Sequence, residues 1–256
     1  MQQTTPYRIV SLVPSLTAFL TTIGCAERLI GITDLCPTIP EYADLPLLGG
    51  TKNPAIASII ALQPDLVLTS TTDNLPTTLR ELEAAGLTVY QVQINSVREA
   101  VEQLSQLARL LGCGGAPLLQ ELRSAYWRAL ERPADAPRPR VLALAWRDPW
   151  MAIGDETYAN DLLTLCGAQN VALELAGRQP RTSLERLLSL NPAIILLPDW
   201  PYAFSEADEA VFARHADVAA VRLGQIYLCE GRWLHWYGAQ TVAALRVFGE
   251  LFGGER

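Results

Sequence analysis

The stretch PLLQELRSAYWRALE, residues 117–131, reads as one helix standing between two halves of the chain that look alike. Leu118, Leu119, Leu122, Tyr126, Ala129 and Leu130 recur at helical spacing. Pro117 suits a first turn, where its missing N–H costs no hydrogen bond, and Arg132 followed by Pro133 closes the pattern. At about 1.5 Å per residue this helix is on the order of 22 Å long, enough to run down one lobe and reach its neighbour. RPADAPRPR, residues 132–140, follows with three prolines in nine residues and forms a stiff, extended link. The expected division is an N-terminal α/β lobe over 1–115, the bridging helix and proline-rich link over 116–139, and a C-terminal α/β lobe over 140–256.

Working outward toward the N-terminus, RIVSL (8–12) is a short apolar strand, and Ser15 is placed to cap a helix running to about Gly24. RLIGIT (28–33) gives a second strand, followed by a loop over 34–46 and a turn at LGGTKNP (48–54) that leads into a helix ending at Ala61. The glycines of that turn are not a dinucleotide fingerprint, because no GxGxxG follows a strand. Gln63-Pro64-Asp65 breaks the helix, and LVLT (66–69) has the continuous apolar character of a strand buried on both faces of a parallel sheet. A helix over 77–85, a strand over 88–94 and a helix from Ser96 to Leu111 complete a βαβαβα order, which fixes the class as α/β.

The second half repeats these marks. RVLAL (140–144) takes the role of RIVSL, the helix 158–166 ends at Gly167 as the first ended at Gly24, and 169–173 follows as the segment after Gly24 did. LLSLNPAIILL (187–197) echoes IIALQPDLVL (59–68). A repeat after roughly 130 residues is far longer than a solenoid period and points to two similar lobes.

Composition narrows the function. The chain is 50% hydrophobic and 18% charged, so it can build real cores, and a net charge of −7 with no long basic run argues against nucleic acid as partner. Five widely spaced cysteines, Cys25, Cys36, Cys113, Cys166 and Cys229, contain no CxxC pair. Most read as buried small hydrophobes, with one disulfide left open. The segment MQQTTPYRIVSLVPS lacks a basic region followed by an apolar one, and nothing later runs to 18 apolar residues, so neither an export signal nor a membrane span is expected in the chain as written. GxSxG, HExxH and the Walker lysine motif are absent, Ser11 and Ser15 have no histidine nearby in sequence, and no catalytic activity is expected.

RIVSLVPSLTAFLTTIGCAERLIGIT (8–33), LGGTKNPAIASIIALQPDLVL (48–68), the long helix and the Asn-Pro echo, taken in order, resemble the periplasmic-binding-protein family of metal-chelate receptors, which serve ABC importers of cobalamin, haem and ferric siderophores. The resemblance covers nearly the whole chain. It implies two similar parallel-sheet lobes bridged by one long helix, the class III form of the fold, with a metal chelate held between the lobes. No intrinsic cofactor or directly bound metal is implied; the ligand would be a cobalamin-like corrinoid first, then haem or a ferric siderophore. A monomer without membrane insertion is expected, extracytoplasmic by resemblance and cytoplasmic if Met1 is the true start.

The aromatic residues concentrate in the second half, in Trp146-Arg147-Asp148-Pro149-Trp150, Trp200-Pro201-Tyr202-Ala203-Phe204 and Trp233-Leu234-His235-Trp236-Tyr237. The first two follow predicted strands and the third precedes the last helix, all three where α/β sheets form ligand crevices, and flat apolar rings with a few polar groups suit a large planar ligand. The other reading is that these rings pack the lobe interface or cover the sheet. Lys52 and Arg147, with Arg181 and Arg232 behind them, are either solvated charges or partners for ligand carboxylates or phosphate, with Asp34 and Asp148 placed to orient them. His235 reads as a cleft or core histidine, or as an axial ligand to a chelated metal. A free-zinc site would need several clustered ligands, and the chain has only His215 and His235.

By resemblance, each lobe docks on its permease through an exposed glutamate. Glu185 in TSLERLL (182–188) takes that place in the second lobe; in the first, NPAIASII (53–60) puts Ala57 there. Thr51 and Gln179 stand where the resemblance would look for tryptophan. Two readings follow. One is the solute-binding protein of an ABC importer; the other is an intracellular ligand-binding or sensor protein, or an enzyme on the same fold, that no longer docks to a permease.

Overall fold

The computed structural model describes residues 5–37, 43–133 and 135–253. Part of the predicted 34–46 loop (38–42) and residue 134 of the proline-rich link lie outside the described residues. The elements run β1 (Ile9–Ser11), α1 (Pro14–Thr22), β2 (Leu29–Ile32), β3 (Gly49–Gly50), β4 (Asn53–Pro54), α2 (Ile56–Ala61), β5 (Leu66–Ser70), α3 (Pro76–Ala84), β6 (Val89–Val92), α4 (Val97–Leu110) and α5 (Pro117–Leu130). After the link come β7 (Arg140–Trp146), β8 (Met151–Ala152), α6 (Tyr158–Leu165), β9 (Gln169–Asn170), α7 (Leu184–Leu188), β10 (Ile194–Pro198), α8 (Glu206–Glu209), α9 (Ala219–Arg222), β11 (Ile226–Cys229), α10 (Arg232–His235) and α11 (Ala239–Gly253).

These elements divide into two compact units. The first holds the described residues up to Ile94 together with 98–123 and 237–239; the second holds 95–97, 124–236 and the described residues from Gln240. The division falls inside α5, between Arg123 and Ser124, and α11 also begins in the first unit.

The sheet of the first unit is parallel with order β2-β1-β5-β6. In the second unit β9-β7-β10-β11 repeats that order, again all parallel, and β8 folds back antiparallel on β7. Every residue of β5 and of β10 is buried, as their unbroken apolar sequences require of central strands covered on both faces. Val10, Leu12, Leu48, Ile59, Val67 and Leu82 pack one core, and Leu142, Leu144, Leu187, Ile195, Leu197 and Phe212 pack the other. A fully buried Ile59 contributes about 1.5–3 kcal/mol through the apolar surface it removes from water.

The repeat extends to single hydrogen bonds. Arg8 donates to the Leu62 carbonyl at 2.6 Å, and Arg140 donates to the Leu190 carbonyl at the same distance. Asp65 N–H bonds the Arg8 carbonyl at 2.8 Å, as Ala193 N–H bonds that of Arg140. Between them, Gln63 and Asn191 both adopt φ of 47°, a left-handed backbone that side chains disfavour. Asn191 is the better suited, since its Oδ1 accepts the Ala219 N–H at the start of α9.

Two local expectations are corrected. Ser15 does not cap α1: Val13 holds the cap position without a side-chain bond, Pro14 occupies the first turn, and Ser15 is buried inside the helix. Pro14 supplies what a capping side chain would, because it brings no N–H to satisfy. The 48–54 segment is a two-stranded ribbon, with Gly49 opposite Pro54 and Gly50 opposite Asn53, where a plain turn was expected.

Candidate functional site

In the second unit, the chain leaves β7 into a tight hairpin, 146–150, before returning in β8. That turn, with Asp148 at φ 59°, brings Trp146 and Trp150 to the carboxyl end of the parallel sheet. The loop after β10 rises beside it. Trp146 meets Tyr202 edge-on at 5.5 Å, Tyr202 meets Phe204 at 4.6 Å, and Phe204 stacks on Trp150 at 6.3 Å. Phe204 and the inner face of Trp150 join the core, Trp150 contacting Phe212 at 6.0 Å, while Trp146 is 39% exposed. The set is therefore an aromatic ridge with a packed root and an open crest.

Arg147 packs against it at Trp150. Its guanidinium bonds the Asp208 carboxylate through Nη1, sits 3.6 Å from Asp148 and stacks on Trp150 at 5.4 Å. Asp208 also accepts from Ser205 N–H at 3.0 Å, Ser205 Oγ at 2.9 Å and Tyr202 OH at 3.4 Å. Burial alone would raise the Asp208 carboxyl, but the Arg147 and Ser205 hydrogen bonds outweigh it and hold the group below its ordinary value. The same pairing raises Arg147. The carboxylate that orients Arg147 is thus chiefly the buried Asp208 and not the 85%-exposed Asp148. The sequence carries the signal for it: Ser205 and Asp208, three apart, form a reciprocal capping box on α8.

A second ring cluster joins the β10 loop to α10. Trp200 meets His235 at 5.4 Å and Trp236 at 6.4 Å, and Arg232 lies over Trp236 at 4.7 Å. Gly231 permits the approach, since a Cβ there would stand 2.0 Å from the Trp200 carbonyl oxygen, and its N–H is held by Asp199 at 2.7 Å. His235 Nε2 is buried with no hydrogen-bond partner among the described residues, and burial pushes the imidazole down to about 4. It is neutral at physiological pH.

The remaining predicted residues fall elsewhere. Trp233 packs on Phe248 of α11 at 5.8 Å, a core contact. Tyr237 is buried in the short 237–239 segment of the first unit. Lys52, also in the first unit, donates to the Thr72 carbonyl at 2.5 Å across the turn after β5. Asn74 organises that turn by donating to the carbonyls of Thr51 at 2.8 Å and Leu12 at 3.3 Å, a role the sequence reading missed. Burial raises the Asp73 carboxyl, with Ser70 and Lys52 acting against it. Arg181 is exposed, bridged to Met151 through its backbone, and Asp34 is exposed with its N–H on the Gly49 carbonyl.

Glu185 is exposed in the first turn of α7, and backbone and Ser183 hydrogen bonds, with the charge of His215, hold its carboxyl below its ordinary value. Ala57 stands at the same second position of α2 and is likewise exposed. No group of three or more His, Cys, Asp or Glu suited to a metal ion occurs among the described residues.

Residues 9–232 match the sequence profile of the family described as periplasmic binding protein. The chain belongs to the periplasmic binding protein family. This is a family of binding proteins, not of enzymes. Among its relatives is the vitamin B12-binding protein of Vibrio cholerae serotype O1, 23% identical over 247 residues that span 93% of this chain and 86% of the relative. The crystal structure of the periplasmic vitamin B12 binding protein of Vibrio cholerae superposes with a TM-score of 0.84 at 20% identity, covering 98% of this chain and 99% of that one. A periplasmic haem-binding protein from Pseudomonas aeruginosa superposes with a TM-score of 0.82 at 23% identity, covering 97% and 93%. In this periplasmic binding protein, then, the two ring clusters and the Asn74–Lys52 turn all lie beyond the carboxyl ends of parallel strands, where α/β sheets take ligands.

Proposed function

We propose that this protein, with lobes spanning 1–115 and 140–256, is the solute-binding component of an ABC importer and takes a metal chelate, a cobalamin-like corrinoid first and haem or a ferric siderophore next. The observation that carries the reading is the pair of ring clusters at the carboxyl end of the second sheet, Trp146 with Tyr202 and Trp200 with His235 and Trp236. Large flat rings with few free charges suit a planar macrocycle better than a sugar or amino acid. Relatives named for vitamin B12 and haem support the same class. Arg147 is already neutralised by Asp208, so it acts mainly by fixing Trp150, and ligand carboxylates or phosphate fall to Arg232 and Lys52.

Among the described residues no helix is long and apolar enough to cross a membrane. In this reading the protein delivers its ligand by docking to a permease, with the exposed Glu185 as the second lobe's contact. Ala57 removes a charge from the matching first-lobe position and favours a second reading, an intracellular ligand sensor without docking. Titration of the purified protein with cyanocobalamin, cobinamide, haemin and ferric siderophores, followed by tryptophan fluorescence, tests the ligand class. Saturable quenching by one of them at low micromolar concentration is expected. No response to any of the four removes the metal-chelate assignment.

A further inference from the structure

Cys25 and Cys113 are 88 residues apart in sequence, yet their Sγ atoms stand 2.8 Å apart inside the first unit. Nonbonded carbon-sized atoms rest at roughly 3.5–4.0 Å. A disulfide bond is about 2.05 Å long, so under 1 Å of travel separates this contact from a bond.

The two thiols reach each other through a shared local device. Helix α1 ends in Gly24 at φ 76° and α4 ends in Gly112 at φ 72°. The residue after each glycine donates its N–H back over the last turn, Cys25 to the Leu20 carbonyl at 2.8 Å and Cys113 to the Ala108 carbonyl at 2.7 Å. That closure fixes the backbone of both cysteines. Arg28 then bonds the Leu111 carbonyl at 2.7 Å and holds one helix end against the other. The matching corner of the second unit has Gly167, then Ala168 donating to the Leu163 carbonyl at 2.9 Å. Ala168 stands there at the position that Cys25 holds in the first unit, so Cys25 is not needed for the corner to form.

We propose that Cys25 and Cys113 form an intramolecular disulfide that staples the carboxyl ends of α1 and α4. The oxidant is a small or protein disulfide. The half-exposed Cys113 gives up its proton and attacks one donor sulfur, breaking the donor S–S bond and releasing one donor thiolate. Cys25, buried and with its thiol pushed up to about 12 first by burial and then by its bond to Cys113, stays protonated until that mixed disulfide forms beside it. Its sulfur then attacks Cys113 Sγ, its proton passes to solvent, and the second donor thiolate leaves. Two electrons have moved from the cysteine pair to the donor.

The test uses the full chain equilibrated with excess oxidised glutathione, acid-quenched, alkylated in denaturant and proteolysed without reduction. A peptide pair joining Cys25 to Cys113 is expected, two hydrogens lighter than its parts. Oxidation should also raise the melting temperature by roughly 5–10 °C. Cys113→Ser, at the half-exposed partner, should fold and lose that rise; Cys25→Ala, which copies the alanine of the second unit, should lose it too. Alkylation of all five cysteines overturns the proposal. So does a glutathione adduct that persists on Cys113, a cross-link to a different cysteine, or a rise that survives both substitutions.

Discussion

Asp208→Asn is the sharpest perturbation of the aromatic ridge. It keeps the volume of a side chain that is 6% exposed but removes the charge that Arg147 Nη1, Ser205 and Tyr202 converge upon. Breaking a buried pair from one side costs about 3–5 kcal/mol. Arg147 remains 29% exposed and recovers part of its hydration, which lowers the expected loss to about 2–3 kcal/mol. Because the folded Asp208 carboxyl lies below its ordinary value, this stability is fully present above the unfolded value near 4 and disappears as pH falls through the lower folded one. Urea unfolding followed by tryptophan fluorescence should show variant and wild type separated by that amount at pH 7, with the gap closing below about pH 4. An Arg147→Met, Asp208→Asn double variant should show a coupling above about 1 kcal/mol. A loss under about 0.5 kcal/mol at pH 7, or a gap unchanged between pH 7 and pH 3, would refute the claim that this pair anchors the ridge.

Three further outcomes follow from the site. His235, pushed down to about 4, should titrate near that value by NMR, and its share of stability should begin to fall below about pH 6.5 and be gone below pH 4, a total of about 3 kcal/mol; titration near 6.5 would contradict its burial. His235→Leu should be neutral or stabilising at pH 5, since it removes a buried nitrogen without a described partner, and a loss above about 1 kcal/mol would reveal one. Gly231→Ala should cost upwards of about 3 kcal/mol in thermal or urea unfolding, because its Cβ would stand 2.0 Å from the Trp200 carbonyl oxygen, whereas Gly249→Ala in α11, with nothing within 4 Å, should stabilise by up to about 1 kcal/mol.

The two-lobe α/β architecture was legible because the second half repeats the first in the marks that fix backbone geometry: an arginine opening a strand, a glycine closing a helix, and a Gln-Pro or Asn-Pro pair before a buried strand. Each serves the same hydrogen bond in both units, as Arg8 and Arg140 show. Ser15 misled because a residue type favoured at caps was read without weighing Pro14 beside it. The ribbon at 48–54 is set by pairing between only two residues on each side, too short for an alternating pattern. At the candidate site, Trp146, Arg147, Trp150, Tyr202 and Phe204 were legible as aromatic runs after strands, and the structure brings them together. The capping role of Asp208 could be read from its spacing to Ser205, but its pairing with Arg147 could not, because that partner lies 61 residues away in sequence and only folding joins them. Trp233 belongs to the same aromatic run as Trp236 but turns to Phe248, a distinction helical phase makes and composition does not.

The exposed Trp146 and the half-buried Trp200 of the second unit are proposed to grip a planar metal chelate. The most direct measurement is the visible-absorption titration of cyanocobalamin and of haemin with wild-type protein, Trp146→Ala and Trp200→Ala in parallel. One-to-one binding to the wild type is expected, with affinity at least tenfold weaker in both variants and melting temperatures within a few degrees of one another. Equal affinity in all three proteins, or no spectral change with either chelate, would contradict it.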